Sequence, residues 1–78
     1  MKLLVRNLAR TLTEAELKAL FERFGDVSDC TLVMDEHSGE SKGFGFVDMP
    51  SYDKARKAMF TLNGKLIERK PIKIRQAD

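Results

Sequence analysis

Apolar residues along this chain fall into two rhythms, one of period two and one of helical period. Leu3, Val5 and Leu8 form a short apolar stretch broken by Lys2 and Arg6, the pattern of a half-buried strand. Thr13 then opens a T-x-x-E capping box with Glu16, whose hydroxyl and carboxylate satisfy backbone amides left free at a helix start. Leu17, Leu20, Phe21 and Phe24 follow at helical spacing, and Gly25 is expected to close the helix in the left-handed conformation. Val27 to Met34 reads as a second strand, with Cys30 and Leu32 alternating against Asp29, Thr31 and Val33. The polar stretch from Asp35 to Ser41 is a hairpin-like loop, and Lys42 to Met49 a third strand. Pro50 and Ser51 mark the next helix start, because serine caps and proline is excluded from a central strand. Ala55, Ala58, Met59 and Leu62 form its buried stripe, and Asn63-Gly64 ends it. Pro71-Ile72-Lys73-Ile74-Arg75 alternates as the last strand.

The order is βαββαβ, the split βαβ or ferredoxin-like arrangement. It is an α+β fold in which a four-stranded antiparallel sheet carries two helices on one face. Strand parity then sorts the side chains. Leu3, Val5, Val47, Met49, Ile72 and Ile74 face the helices. Lys2, Leu4, Arg6, Lys42, Phe44, Phe46, Asp48, Lys73 and Arg75 face the open side. Burial alone would not choose two phenylalanines on a solvent face amid five cations. Gly43 and Gly45 are equally odd in a strand interior, but glycine leaves the helix side free for close packing. Exposed aromatics among cations suit a single-stranded nucleic acid. Bases stack on the rings at roughly 1–3 kcal/mol each, while lysine and arginine meet the phosphates.

Composition narrows the class. Seventy-eight residues, of which 42% are hydrophobic and 33% charged, make one small globular domain over residues 1–78. The single cysteine, Cys30, cannot form an internal disulfide, so a reducing, cytoplasmic setting is expected. No apolar run approaches the ~18 residues of a membrane span, and Arg6 and Arg10 argue against a signal peptide. The net charge of +2 says little by itself. Its distribution says more: residues 1–12 carry +3, residues 13–41 carry −6 and residues 42–78 carry +5. A chain with basic ends and an acidic middle can fold into a two-faced particle.

Lys42-Gly43-Phe44-Gly45-Phe46-Val47-Asp48-Met49 resembles the longer signature of the RNA recognition motif (RRM) family, and Leu3-Leu4-Val5-Arg6-Asn7-Leu8 resembles the shorter one. The Asn63-Gly64 turn and the closing Ile72-Lys73-Ile74-Arg75-Gln76-Ala77 are also similar to that family, so the resemblance spans essentially the whole chain. In size it is similar to the single-domain RRM proteins of bacteria. The resemblance implies base stacking on Phe44 and Phe46, a phosphate contact from Lys42, and a turn role for Asn7. It also implies backbone contacts to base edges along the last strand and from Gln76 onward. The implied partner is single-stranded RNA, with single-stranded DNA admitted as a weaker ligand and the monomer favoured. Leu4 departs from the pattern, standing where the short motif usually carries Phe or Tyr. The loop Asp35–Ser41 also departs, with Asp35, Glu36 and Glu40 and no Lys or Arg to grip phosphate. Arg69 occupies a turn position that is often glycine in the family. Modest affinity and low selectivity are expected.

Other chemistry has little to stand on. Cys30 reads as a small core residue and His37 as a solvated loop residue, with no second ligand for a metal. No nucleophile has a histidine base near it in sequence. The segment Asn7-Leu8-Ala9-Arg10-Thr11 after the first strand has neither the glycine-rich anion loop of an acylphosphatase nor the C-x-x-C of a metal carrier. A noncatalytic module without metal or cofactor is expected, the competing reading being an RRM-like domain that docks a protein or a second copy of itself.

Overall fold

Thr13 caps the first helix as its sequence requires. Its hydroxyl accepts from the Glu16 backbone N–H, and the Glu16 carboxylate accepts from the Thr13 N–H at 2.9 Å. These bonds to Thr13 hold the Glu16 carboxyl below its ordinary range. In the computed structural model, which describes residues 1–77, the elements in chain order are β1 (Lys2–Arg6), α1 (Glu14–Glu22), β2 (Asp29–Met34) and β3 (Ser41–Asp48). They are followed by α2 (Tyr52–Leu62), the short strands β4 (Leu66–Ile67) and β5 (Lys70–Pro71), and β6 (Lys73–Gln76).

β1, β2, β3 and β6 form one antiparallel sheet in the order β2-β3-β1-β6, with the two strands that carry the signatures at its centre. Leu3, Val5, Val47, Met49, Ile72 and Ile74 are buried on one side of it, against Leu17 and Phe21 of α1 and Ala55, Ala58 and Leu62 of α2. Each fully buried aliphatic or aromatic side chain of this set contributes roughly 1.5–3 kcal/mol relative to exposure. The helices take the apolar face, which leaves the opposite face of the sheet open.

Several boundaries differ from those the pattern predicts. α1 is not closed by a left-handed Gly25. Arg23 caps it in a right-handed conformation, and Phe24 donates to the Phe21 carbonyl at 3.0 Å. Gly25 serves space instead, because a Cβ there would meet the Lys54 side chain at 2.5 Å. β2 starts at Asp29 rather than Val27, since Ser28 bonds the Asp48 carbonyl through both its N–H and its hydroxyl. Ser41 belongs to β3 and is 1% exposed; its hydroxyl accepts from the Gly43 N–H at 3.0 Å. Pro71 lies in the β4–β5 hairpin, so β6 begins only at Lys73. The turn that the resemblance implies at Arg69 is present, with Glu68 and Arg69 at positive φ, 50° and 70°, but the two short strands that it joins are not predicted by the apolar pattern.

α2 is capped by Ser51, whose hydroxyl accepts from the Lys54 N–H, and the chain leaves it through Asn63. The Asn63 side-chain carbonyl then accepts from the Ile74 N–H at 2.9 Å, tying the helix end to β6. On the outer side of α2, Arg56 lies 5.7 Å from the Tyr52 ring and 5.3 Å from the Phe60 ring. That helix face is therefore an aromatic ladder bridged by a cation.

Candidate nucleic-acid interface

The register places the predicted outward residues side by side. Leu4 of β1 sits opposite Phe46 of β3 on one flank and Arg75 of β6 on the other. Arg6 is opposite Lys73, Lys2 is opposite Asp48, and Thr31 of β2 is opposite Phe46. Directly paired residues in an antiparallel ladder share a face, so all of these stand on the open side. The Phe44 and Phe46 rings are half-buried, with centroids 6.4 Å apart and planes at 83°. Leu4 fills the aliphatic position beside them.

Lys2 rests its ammonium 4.8 Å from the centroid of Phe46. An exposed cation–π contact of this kind is worth about 0.5–1 kcal/mol, less than the ~1–3 kcal/mol of a base stacked on an aromatic ring.

Gly43 and Gly45 do different work. Pairing between β2 and β3 slips between Leu32 and Met34: Leu32 faces Gly45, whereas Met34 faces Ser41. β3 bulges over the intervening residues, and Gly43 holds φ 85° there. The bulge lays Gly43 against the end of β1, with the Leu8 N–H donating to the Gly43 carbonyl at 2.9 Å. Gly45 serves close approach: a Cβ would meet the Thr31 carbonyl at 2.5 Å and Leu17 of α1 at 3.3 Å. The helix-side packing expected of both glycines holds only at Gly45.

Gln76 is paired with Leu3, so its side chain shares the helix side with Leu3 and Ile74, and the contacts expected from Gln76 onward are those of its backbone. Asn7 ends β1 with φ 58°, a conformation asparagine tolerates, and donates its side-chain amide to the Pro71 carbonyl at 2.8 Å. Its amide is thus a staple between β1 and β5. Asp48, which parity also puts on this face, is paired with Asp29 of β2 and with Lys2 of β1 and lies 3.6 Å from the N-terminal ammonium, so the charges at that corner of the sheet are balanced.

The loop between β2 and β3 is folded on itself. The Asp35 carboxylate accepts from the His37 and Ser38 N–H groups at 2.8 and 3.1 Å. These backbone bonds, then Lys42 and Arg10, hold its carboxyl below the ordinary range. Cys30 packs half-buried against the core, and burial, then the Glu14 carboxylate, pushes its thiol up to about 11. A thiol protonated at neutral pH is a poor nucleophile.

A family model described as RNA recognition motif matches residues 3–73. The chain belongs to the RNA recognition motif family. Its structure is similar to that of RNA binding protein PG1, at 30% identity and a TM-score of 0.95, the match covering 99% of this chain and 93% of that one. It is similar to the RNA recognition domains 1 and 2 of Sex-lethal from Drosophila melanogaster, at 34% identity and a TM-score of 0.93. That match covers 99% of this chain and 49% of the Sex-lethal chain, so this RRM spans about half of it. An Sxl-lethal protein–RNA complex matches at 34% identity and a TM-score of 0.93, over 99% of this chain and 46% of that one. Among the described residues of this RRM, no helix is long and apolar enough to cross a membrane. No group of three His, Cys, Asp or Glu residues among them is placed to hold a metal ion.

Proposed function

We propose that this RRM binds single-stranded RNA across the open face of its sheet. The observation that carries the reading is the pair of half-buried rings, Phe44 and Phe46, 6.4 Å apart on a face where the cations of β1, β3 and β6 converge. Two successive bases stack on the rings, Leu4 gives apolar support without a stacking contribution, and Lys2, Arg6, Lys42, Lys73 and Arg75 neutralise the backbone. The domain acts by binding alone, as one copy, with no metal or cofactor. Single-stranded DNA is a weaker ligand, since stacking and phosphate contacts do not distinguish the sugars. Stacking is sequence-tolerant because every base has a π-face, so affinity is modest and selectivity low. The Sxl-lethal complex, which holds RNA on a related domain, supports the same partner class here.

Substitution of the rings tests it. Phe44→Ala and Phe46→Ala each weaken RNA binding by about 1–3 kcal/mol, roughly 5-fold to 150-fold in Kd, in titrations at fixed salt. Both variants stay folded by circular dichroism, because the rings face away from the helices. Folded variants with wild-type titration curves would sink the assignment.

A further inference from the structure

Where β1 ends and β3 begins, the open face drops into a cavity of about 280 Å³. Four cations line it, Arg6, Arg10, Lys42 and Lys70, and the Phe44 ring forms one wall. Among the described residues, no carboxylate lines it. Four like charges around one hollow repel one another, and an anion in the hollow relieves that repulsion. The floor is fixed by backbone: the Leu8 N–H bonds the Gly43 carbonyl at 2.9 Å, and the bulge at Gly43 holds β3 against β1 there. Arg10 is positioned as well. One of its five N–H donors reaches the Ser41 carbonyl at 3.4 Å, which aligns the guanidinium and leaves donors for a ligand.

Two further features set a direction. At the far corner of the same face the charges are balanced: Asp48 lies 3.6 Å from the N-terminal ammonium and opposite Lys2, with Asp29 paired beside it. Asp35, the acid within the field of Arg10 and Lys42, has its carboxylate engaged by the His37 and Ser38 N–H groups. A chain of phosphates crossing this sheet meets balanced charge at that corner and a surplus of cations at the cavity.

We propose that this cavity is a phosphate subsite of the RNA track, in which Arg10 and Lys70, with Arg6 and Lys42, hold the phosphate next to the nucleotide stacked on Phe44. The inference rests on the RNA-binding reading and extends it past the rings, to two residues that lie outside both signature motifs. The phosphate is either an internal phosphodiester or a terminal monoester, and the two are separable by experiment.

The test compares the wild type with Arg10→Gln/Lys70→Gln, and with Lys18→Gln/Lys57→Gln, which removes the same charge from the exposed helices. Each is titrated at fixed salt with a pentauridylate and with a uridine dinucleotide, the latter with and without a terminal phosphate. The cavity lies on the side of Phe44 away from Phe46, so the cavity variant is expected to bind the pentamer about tenfold more weakly, while the helix variant stays near wild type. The bare dinucleotide, whose single phosphodiester lies between the two rings, is unaffected. A matching loss with the phosphorylated dinucleotide assigns the subsite to terminal as well as internal phosphates; a loss with the pentamer alone assigns it to the internal one. Equal losses in the cavity and helix variants, or none in the cavity variant while Phe46→Ala still weakens binding, overturn the subsite and leave the RNA reading intact. Failure of the wild-type protein to bind the pentamer overturns both.

Discussion

Leu4 sits at the centre of the open face, between Phe46 and Arg75, and offers an aliphatic chain where its neighbour offers a ring. It is half-buried and points away from the helices, so a larger planar side chain there projects over the sheet and not into the core. Leu4→Phe adds a third stacking surface, and RNA affinity should rise by up to about 1–3 kcal/mol in the same titrations used for the ring variants. Unchanged or weaker binding would mean that bases do not reach β1. Residue placement on this face was largely legible beforehand, because alternation in Lys2–Arg6 and in the second half of β3 is unambiguous. The same alternation turns the Gln76 side chain to the helix side, one step past Arg75, which leaves its backbone for the contacts expected of it. The split roles of Gly43 and Gly45 were hidden. Glycine in a strand signals a bulge or a close approach, and only the register between β2 and β3 tells which.

At the scale of elements, the helices followed from local chemistry: the Thr13–Glu16 box and the Ser51 cap appear where the sequence places them. The short strands β4 and β5 escaped notice because Glu68 and Arg69 between them lack the asparagine and glycine that such turns favour. An L-residue in the left-handed region costs about 1–2 kcal/mol, partly offset in a glycine variant by the entropy that glycine loses on folding. Arg69→Gly is therefore expected to stabilise the domain by about 0.5–1 kcal/mol, seen as a higher urea midpoint at unchanged slope. A lower midpoint would show that the Arg69 side chain contributes more than its backbone strain costs. The substitution lies on an exposed turn and leaves the paired strands of the main sheet untouched.

For the whole molecule, a net charge of +2 conceals a polarised surface. The basic ends of the chain supply β1, β3 and β6, whose outward cations meet on one face, while the acidic middle supplies α1 and the loop before β3. At one corner Asp29 and Asp48 meet Lys2 and the N-terminal ammonium, so the positive character of the face fades there, which a count of charges along the chain does not reveal. With about three to five phosphates neutralised, RNA binding should weaken with salt at a log–log slope of about −2 to −3.5. A slope near zero would remove the phosphate contacts from the account. The central claim is where the RNA lies, and amide and aromatic chemical-shift mapping during titration with a pool of short random RNAs tests it most directly. The account predicts the largest shifts along β1 and β3 and at the Phe44 and Phe46 rings, with α1 and α2 nearly still. Shifts confined to the helices, with both rings unmoved, would contradict it.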